Sequence, residues 1–383
     1  MKLLKRKEFL YFFVFFIIFI SLTLIYFLKV KKEMVDFSVY YKAGERIING
    51  ESLYRIEDGH YQFKYPPFFA FLFSFISFFP LNIAKLIWFY LEIIASILIF
   101  YFSIKLINRD DARNLMVIFL SFLILAKFYG HEINLGQVNS VMNFFLILMV
   151  YFFVLKKDFL SGLFLSISVI IKPYYSIFLI YFFFKRKIKL VLSSLIFTTI
   201  FFFIPTIFYG LKGNFLEVEK WIKNLSVSTP SLISSQDNVS LMAFFTKNVT
   251  KGKDVLIFYF IFLILFFFLL IYLHSIGEIN VLKNQEILES SMILIMIPLI
   301  SPLGWDYTLI SSTLGVVILV KYFNRFETAH KFILVLNFAL IGGTLYDLMG
   351  RKLYSEFMNY SVLTINFLII IFYLSLLRLK KIL

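Results

Sequence analysis

Cysteine is absent from the 383 residues, which excludes disulfides, zinc–thiolate sites, iron–sulfur clusters and cysteine nucleophiles. Charge is scarce: Asp, Glu, Lys and Arg make up 16% of the chain, against about 25% in soluble domains. Glycine (15) and proline (8) are few, and there are only 4 histidines. The spacing of His60 and His131 to nearby carboxylates matches no metal signature. No Walker-type loop, Gly-rich dinucleotide fingerprint or HExxH motif occurs. Neither a metal nor a cofactor is therefore expected.

What is abundant is apolar surface. Hydrophobic residues reach 61%, with 53 Phe, and the mean hydropathy is +0.87. A water-soluble globule cannot bury that excess, so lipid must be the solvent for much of the surface. Solid apolar runs recur along the whole chain at the length of roughly 20 residues that a helix needs to cross a bilayer. A transmembrane barrel would instead show short alternating strands. The expected fold class is all-α: a polytopic helical membrane protein forming a single integral membrane domain over 1–383. About 12 spans plus a re-entrant helix are predicted, near 9–28, 82–106, 114–130, 139–155, 159–171, 173–184, 188–210, 254–276, 288–303, 305–320, 331–349 and 359–377. The run from Phe9 to Leu28 reads as a retained first span, because it is long and lacks a small-residue cleavage site. Residues 66–80 lie between prolines, are too short to cross and read as re-entrant or interfacial.

Basic residues set the orientation. With Lys2, Lys5, Arg6 and Lys7 inside, the clusters at Lys156-Lys157, Lys185 to Lys189, Lys321 to Lys331 and Arg378 to Lys381 also fall inside. Letting 66–80 cross fully would invert every later cluster. Both termini are thus expected in the cytoplasm of a plasma (inner) membrane protein. The net charge of +15 is explained by this topology and by lipid-surface contact, with no nucleic-acid partner expected. Two long segments, 29–65 and 211–253, fall outside as outer loops, and the polar residues cluster with them. The 159–171 and 173–184 runs are short and meet at Lys172-Pro173, so they should rise and return with Lys172 at the outer tip.

Several residues in these outer regions could carry chemistry. Asp36, a few residues past the first span on a predicted interfacial helix, can act as a general base at a low-dielectric boundary. A helix-capping role, or pairing with Lys31 or Lys32, is the alternative. Tyr65 precedes Pro66-Pro67, where a helix enters the membrane. The link from His131 through Glu132, Asn134 and Gln137 to Asn139 is dense in hydrogen-bonding groups suited to sugar hydroxyls or phosphate, or simply to solvent. Lys172, in an otherwise apolar stretch, suits a phosphate unless it snorkels to the surface. Glu92 is a similar case inside the 82–106 span. Asn238 lies in the second outer segment, and Trp305 is a platform for a sugar or an interface anchor. Asp306 begins a span, where an N-terminal helix role competes with ligand contact.

Taken in order, these motifs resemble the glycosyltransferase C superfold and most closely glycosyltransferase family 87, the polyprenyl-phosphate-mannose-dependent mannosyltransferase type. The resemblance is carried by Asp36 with Tyr40 to Gly44, Gly50 with Leu53-Tyr54, Tyr65 to Pro67 and Trp88. It continues with Gly136 to Asn139, Gly162 with Lys172-Pro173, Asn238 to Ser240, and Ser301-Pro302 with Trp305. It extends from about 36 to 310.

The resemblance implies inverting transfer of a sugar, mannose or another hexose or pentose, from a polyprenyl-phosphate donor to an acceptor hydroxyl on the extracytoplasmic face. The acceptor would be a glycolipid or glycan, and membrane lipids are the other partners. Asp36 matches the acid that serves as base in such enzymes. Lys172 and His131 are the expected donor-phosphate ligands, and Tyr65, Gln137, Asn139, Asn238, Trp305 and Asp306 the sugar- or acceptor-binding set. Where the family often carries His after the late Trp, this chain has Asp306 and Tyr307, leaving His131 or Lys172 to compensate. A transporter or flippase of a lipid-linked saccharide is the alternative. It calls for polar residues in both membrane halves and for inverted repeats, and neither is evident.

Overall fold

The computed structural model describes residues 13, 16–107, 114–250, 252, 254–275 and 285–379. The basic N-terminal cluster, the start of the 9–28 run, Asp110-Asp111, Lys283 and Lys380-Lys381 lie outside the described residues. The architecture is all-α. Among the described residues, the one β-type pairing is an isolated antiparallel bridge between Asn238 and Trp305.

Among the described residues, four helices are long and apolar enough to cross a membrane: Leu81–Ile107, Asn114–Leu135, Asp254–Leu273 and Val362–Leu379. Two bent pairs raise the number to 6 if each is a single span: Ile188–Phe203 with Thr206–Leu232, at 98°, and Thr328–Gly343 with Tyr346–Asn359, at 100°. The other apolar runs form shorter helices. The 305–320 run is divided into a 3₁₀-helix, Asp306–Ser312, and an α-helix, Thr313–Lys321.

The first bend falls just before the expected outer loop at 211–253, part of which is helical. Pro205 ends the apolar helix, and Gly210, with φ of 64°, kinks the chain inside Thr206–Ser228 ahead of its polar-faced part. The sequence therefore turns where a positive φ and a missing amide proton interrupt an otherwise continuous apolar run.

The break at Lys172 has the same origin. Proline disfavours helical geometry in the residue before it, and Lys172 leaves the helix Asp158–Ile171 with φ −133° and ψ 96°. Gly162 lies against Ser193 and Leu190, while Val169 and Ile170 share a cleft with Thr198 and Phe202. The 158–171 and 188–203 helices thus run parallel and in direct contact, and the 177–184 helix that links them in sequence must run back antiparallel to both. Phe182 meets Phe153 at the far end, with ring centroids 4.8 Å apart. Lys172 consequently sits at the turn of a rise and return.

Val35–Ile48 forms the helix expected to carry Asp36. It packs against Pro67–Ser77, an 11-residue helix begun by proline at its first position. Contact is close: a Cβ on Gly44 would collide with Ser77 Oγ and lie 2.8 Å from the Phe73 carbonyl carbon. Small residues let helix backbones approach in this way where lipid offers no hydrophobic drive. Gly44→Leu is accordingly expected to destabilise the protein by roughly 1–3 kcal/mol through overpacking, read as a lower thermal midpoint in detergent.

Candidate active site

Asp36 is aimed by the turn at Gly136. The Asn114–Leu135 helix ends there because Gly136 adopts φ +68°, a region costly for residues bearing a Cβ. His131 and Glu132, read from sequence as part of a link, therefore belong to the last turns of this helix. A Cβ on Gly136 would come within 2.7 Å of Phe37 Cβ, so the turn presses directly onto the helix that carries Asp36. Trp88 Nε1 braces it by donating to the Gly136 carbonyl at 3.1 Å. Gly136→Val should therefore cost at least about 2 kcal/mol, from left-handed backbone and overpacking together. Thermal unfolding would read the loss, and unchanged stability would contradict the packing account.

This contact brings Gln137 to the carboxylate. Gln137 Nε2 donates to Asp36 Oδ2 at 2.6 Å. The ionised carboxylate only accepts, so it fixes the amide with its NH₂ toward Asp36, and Oε1 accepts from Tyr40 OH at 2.8 Å and from Tyr65 OH at 3.4 Å. Tyr307 OH is a second acceptor for Gln137 Nε2, at 3.2 Å. Burial raises the proton affinity of Asp36; the Gln137 hydrogen bond and the charges of His131, Lys172 and Lys64 oppose it, and the net shift is upward. A carboxyl tuned this way is a stronger base than an exposed aspartate.

Asp36 opens on a cavity of about 520 Å³ whose walls also include Lys64, Tyr65, Gln137, Lys172, Trp221 and Trp305. Asp36 is the one carboxylic acid among the lining residues, and Lys64 and Lys172 are the two cations. Lys172 Nζ lies over the Tyr65 ring, 5.5 Å from its centroid, and donates to Asn139 Oδ1. Burial lowers the proton affinity of Lys64, an effect the Asp36 charge partly reverses.

The cavity thus joins Asp36, Tyr65, Gln137, Lys172 and Trp305 of the sequence-predicted residues. The others stand behind its walls. Asn139 is buried between Lys172 and Glu132. Asp306 is fully buried, with His131 Nδ1 at 2.9 Å and Lys127 Nζ at 3.0 Å. Asn238 is occupied by backbone: it donates to the Ile233 and Pro302 carbonyls and accepts from the Ser240 and Gly304 amides. Its role is to staple the 236–240 segment to the turn that presents Trp305. Glu92 is fully buried and contacts no solvent.

Sequence reasoning passed over Lys64 and Trp221. Trp221 belongs to the polar-faced helix hidden in the expected loop, and its Nε1 docks that helix on the Lys64 carbonyl at 3.0 Å. Asn224, one turn on, donates to the Phe63 carbonyl at 2.9 Å. The i, i+3, i+4, i+7 spacing of Glu217, Lys220, Trp221 and Asn224 was the available signal.

Comparison with curated proteins and with solved structures gave no match. The profile of glycosyltransferase family 87 matches residues 63–302 of the 383. That stretch holds Tyr65, Gln137, Lys172 and the Asn238 staple, and covers more than half of the sequence. The chain belongs to glycosyltransferase family 87.

Proposed function

We propose that this glycosyltransferase moves a sugar, mannose or another hexose or pentose, from a polyprenyl-phosphate donor to an acceptor hydroxyl, with inversion at the anomeric carbon. The observation that carries this reading is the composition of the cavity: one carboxylate, two ammonium groups and two tryptophans. In an inverting displacement, the acceptor oxygen bonds to C1 as the C1–O(phosphate) bond breaks. The acceptor proton passes to Asp36, and the electron pair of the broken bond stays on the phosphate oxygen. That product is an anion already, so it calls for cations rather than a second acid. Lys172 and Lys64 supply them. A retaining double displacement would need another carboxylate at the sugar, and among the described residues Asp36 is the one acid that lines the cavity. Trp305 and Trp221 offer flat apolar faces to a sugar ring. The reading requires neither metal nor cofactor, since the lysines provide the cationic stabilisation.

The same reading places the cavity on the extracytoplasmic side of the plasma membrane, in a glycosyltransferase C-type arrangement of about 12 crossings with cytoplasmic termini. The apolar cleft of about 230 Å³ that adjoins the cavity at Pro173 and Trp221 suits the isoprenoid tail. Incubating the purified protein with radiolabelled decaprenyl-phosphate mannose, and with the corresponding glucose and arabinose donors, plus membrane glycolipid extract, tests it. Label should move to glycolipid or glycan with the anomeric configuration reversed. Use of nucleotide sugars only, or retained configuration, would overturn it.

A further inference from the structure

Glu132 is fully buried one residue beyond His131 and does not line the cavity. Both of its oxygens are nonetheless engaged: Oε2 accepts from Asn139 Nδ2 at 2.9 Å and Oε1 from the Ser140 amide at 2.9 Å. The other end of the Asn139 amide accepts from Lys172 Nζ. A buried carboxylate, an amide and an ammonium therefore stand in line, with only the ammonium reaching the cavity. We propose that Glu132 is a positioning residue: it fixes the Asn139 amide and through it holds the Lys172 ammonium toward the donor phosphate.

An asparagine side chain accepts at one end and donates at the other, whereas a carboxylate only accepts. Glu132 consequently dictates which end of Asn139 faces Lys172; the reversed amide would set NH₂ against NH₃⁺. Burial is also unfavourable for an ammonium without a countercharge. A direct Glu132–Lys172 pair would meet that need but occupy the ammonium's donors. The intervening amide keeps the negative charge near while taking one donor of three, and the remaining donors are available to the cavity. Glu132 also satisfies an amide at the start of the Asn139–Val154 helix, a purely structural service that the experiment must separate.

The inference rests on Lys172 being a phosphate ligand. The full chain in nanodiscs would be titrated with decaprenyl monophosphate and with uncharged decaprenol. The wild type should prefer the phosphate, and Glu132→Gln, which can still accept from Ser140, should lose about tenfold of that preference with decaprenol affinity unchanged. Asn139→Ala should lose a similar factor, and the loss in the N139A/E132Q double variant should fall well short of the product of the two single losses, because Glu132 orients Lys172 through Asn139. This cycle remains readable if E132Q lowers the thermal midpoint. An unchanged phosphate preference in E132Q, equal weakening of both ligands, or additive losses in the double variant would overturn the positioning role. A wild type that does not distinguish phosphate from alcohol would instead overturn the donor reading beneath it.

Discussion

Asp36→Asn is expected to lower transfer by about 10²–10⁴-fold, the range for loss of a positioned general base, while decaprenyl monophosphate affinity stays near the wild-type value. The amide is nearly isosteric, and it loses the capacity to take the acceptor proton. The expected pH dependence has a definite sign. Only the ionised carboxylate is a base, so turnover should climb with pH through a limb above the ordinary carboxylate range, since burial holds the Asp36 proton affinity up. Gln137 works in the opposite direction, because its hydrogen bond favours the ionised form. Gln137→Leu should therefore move the limb to still higher pH as well as slowing transfer. Full activity in D36N, or a limb unmoved by Q137L, would remove Asp36 as the base.

Lys172→Met should cost about 10²–10³-fold in transfer, the scale of removing one preorganised donor from a developing anion. It should weaken decaprenyl monophosphate much more than decaprenol, because methionine keeps the stem and removes the charge. The two variants divide the chemistry: D36N spares binding of the phosphate and K172M does not. Equal effects of K172M on the two ligands would mean that Lys172 packs the site without touching phosphate.

The sequence disclosed those features that composition and local grammar control. An all-helical membrane fold was legible because apolar excess admits no other solvent. The Lys172 break was legible because proline constrains the residue before it. Asp36, Lys172 and Gln137 stood out as polar groups amid apolar surroundings. Side-chain partnership was not legible. Gln137 and Asp36 are distant in sequence and meet only because Gly136 permits a close approach to Phe37. Asn238 and Asp306 carry the same functional groups as ligand-binding residues, yet backbone amides and carbonyls occupy the one, and Lys127 and His131 the other. The helix bearing Trp221 was hidden because Pro205 and Gly210 fall inside a run whose apolarity reads as a single span.

The chain's lack of native cysteine makes one test of the central claim especially clean. Val39 lines the cavity beside Asp36, and a single Val39→Cys variant in right-side-out vesicles can be exposed to a membrane-impermeant maleimide. The account expects labelling from outside, protection by decaprenyl monophosphate, and loss of that protection when Lys172→Met is added. Labelling only after the cytoplasmic face is opened, or protection indifferent to Lys172, would contradict an outward-facing cavity built to hold a lipid phosphate beside Asp36.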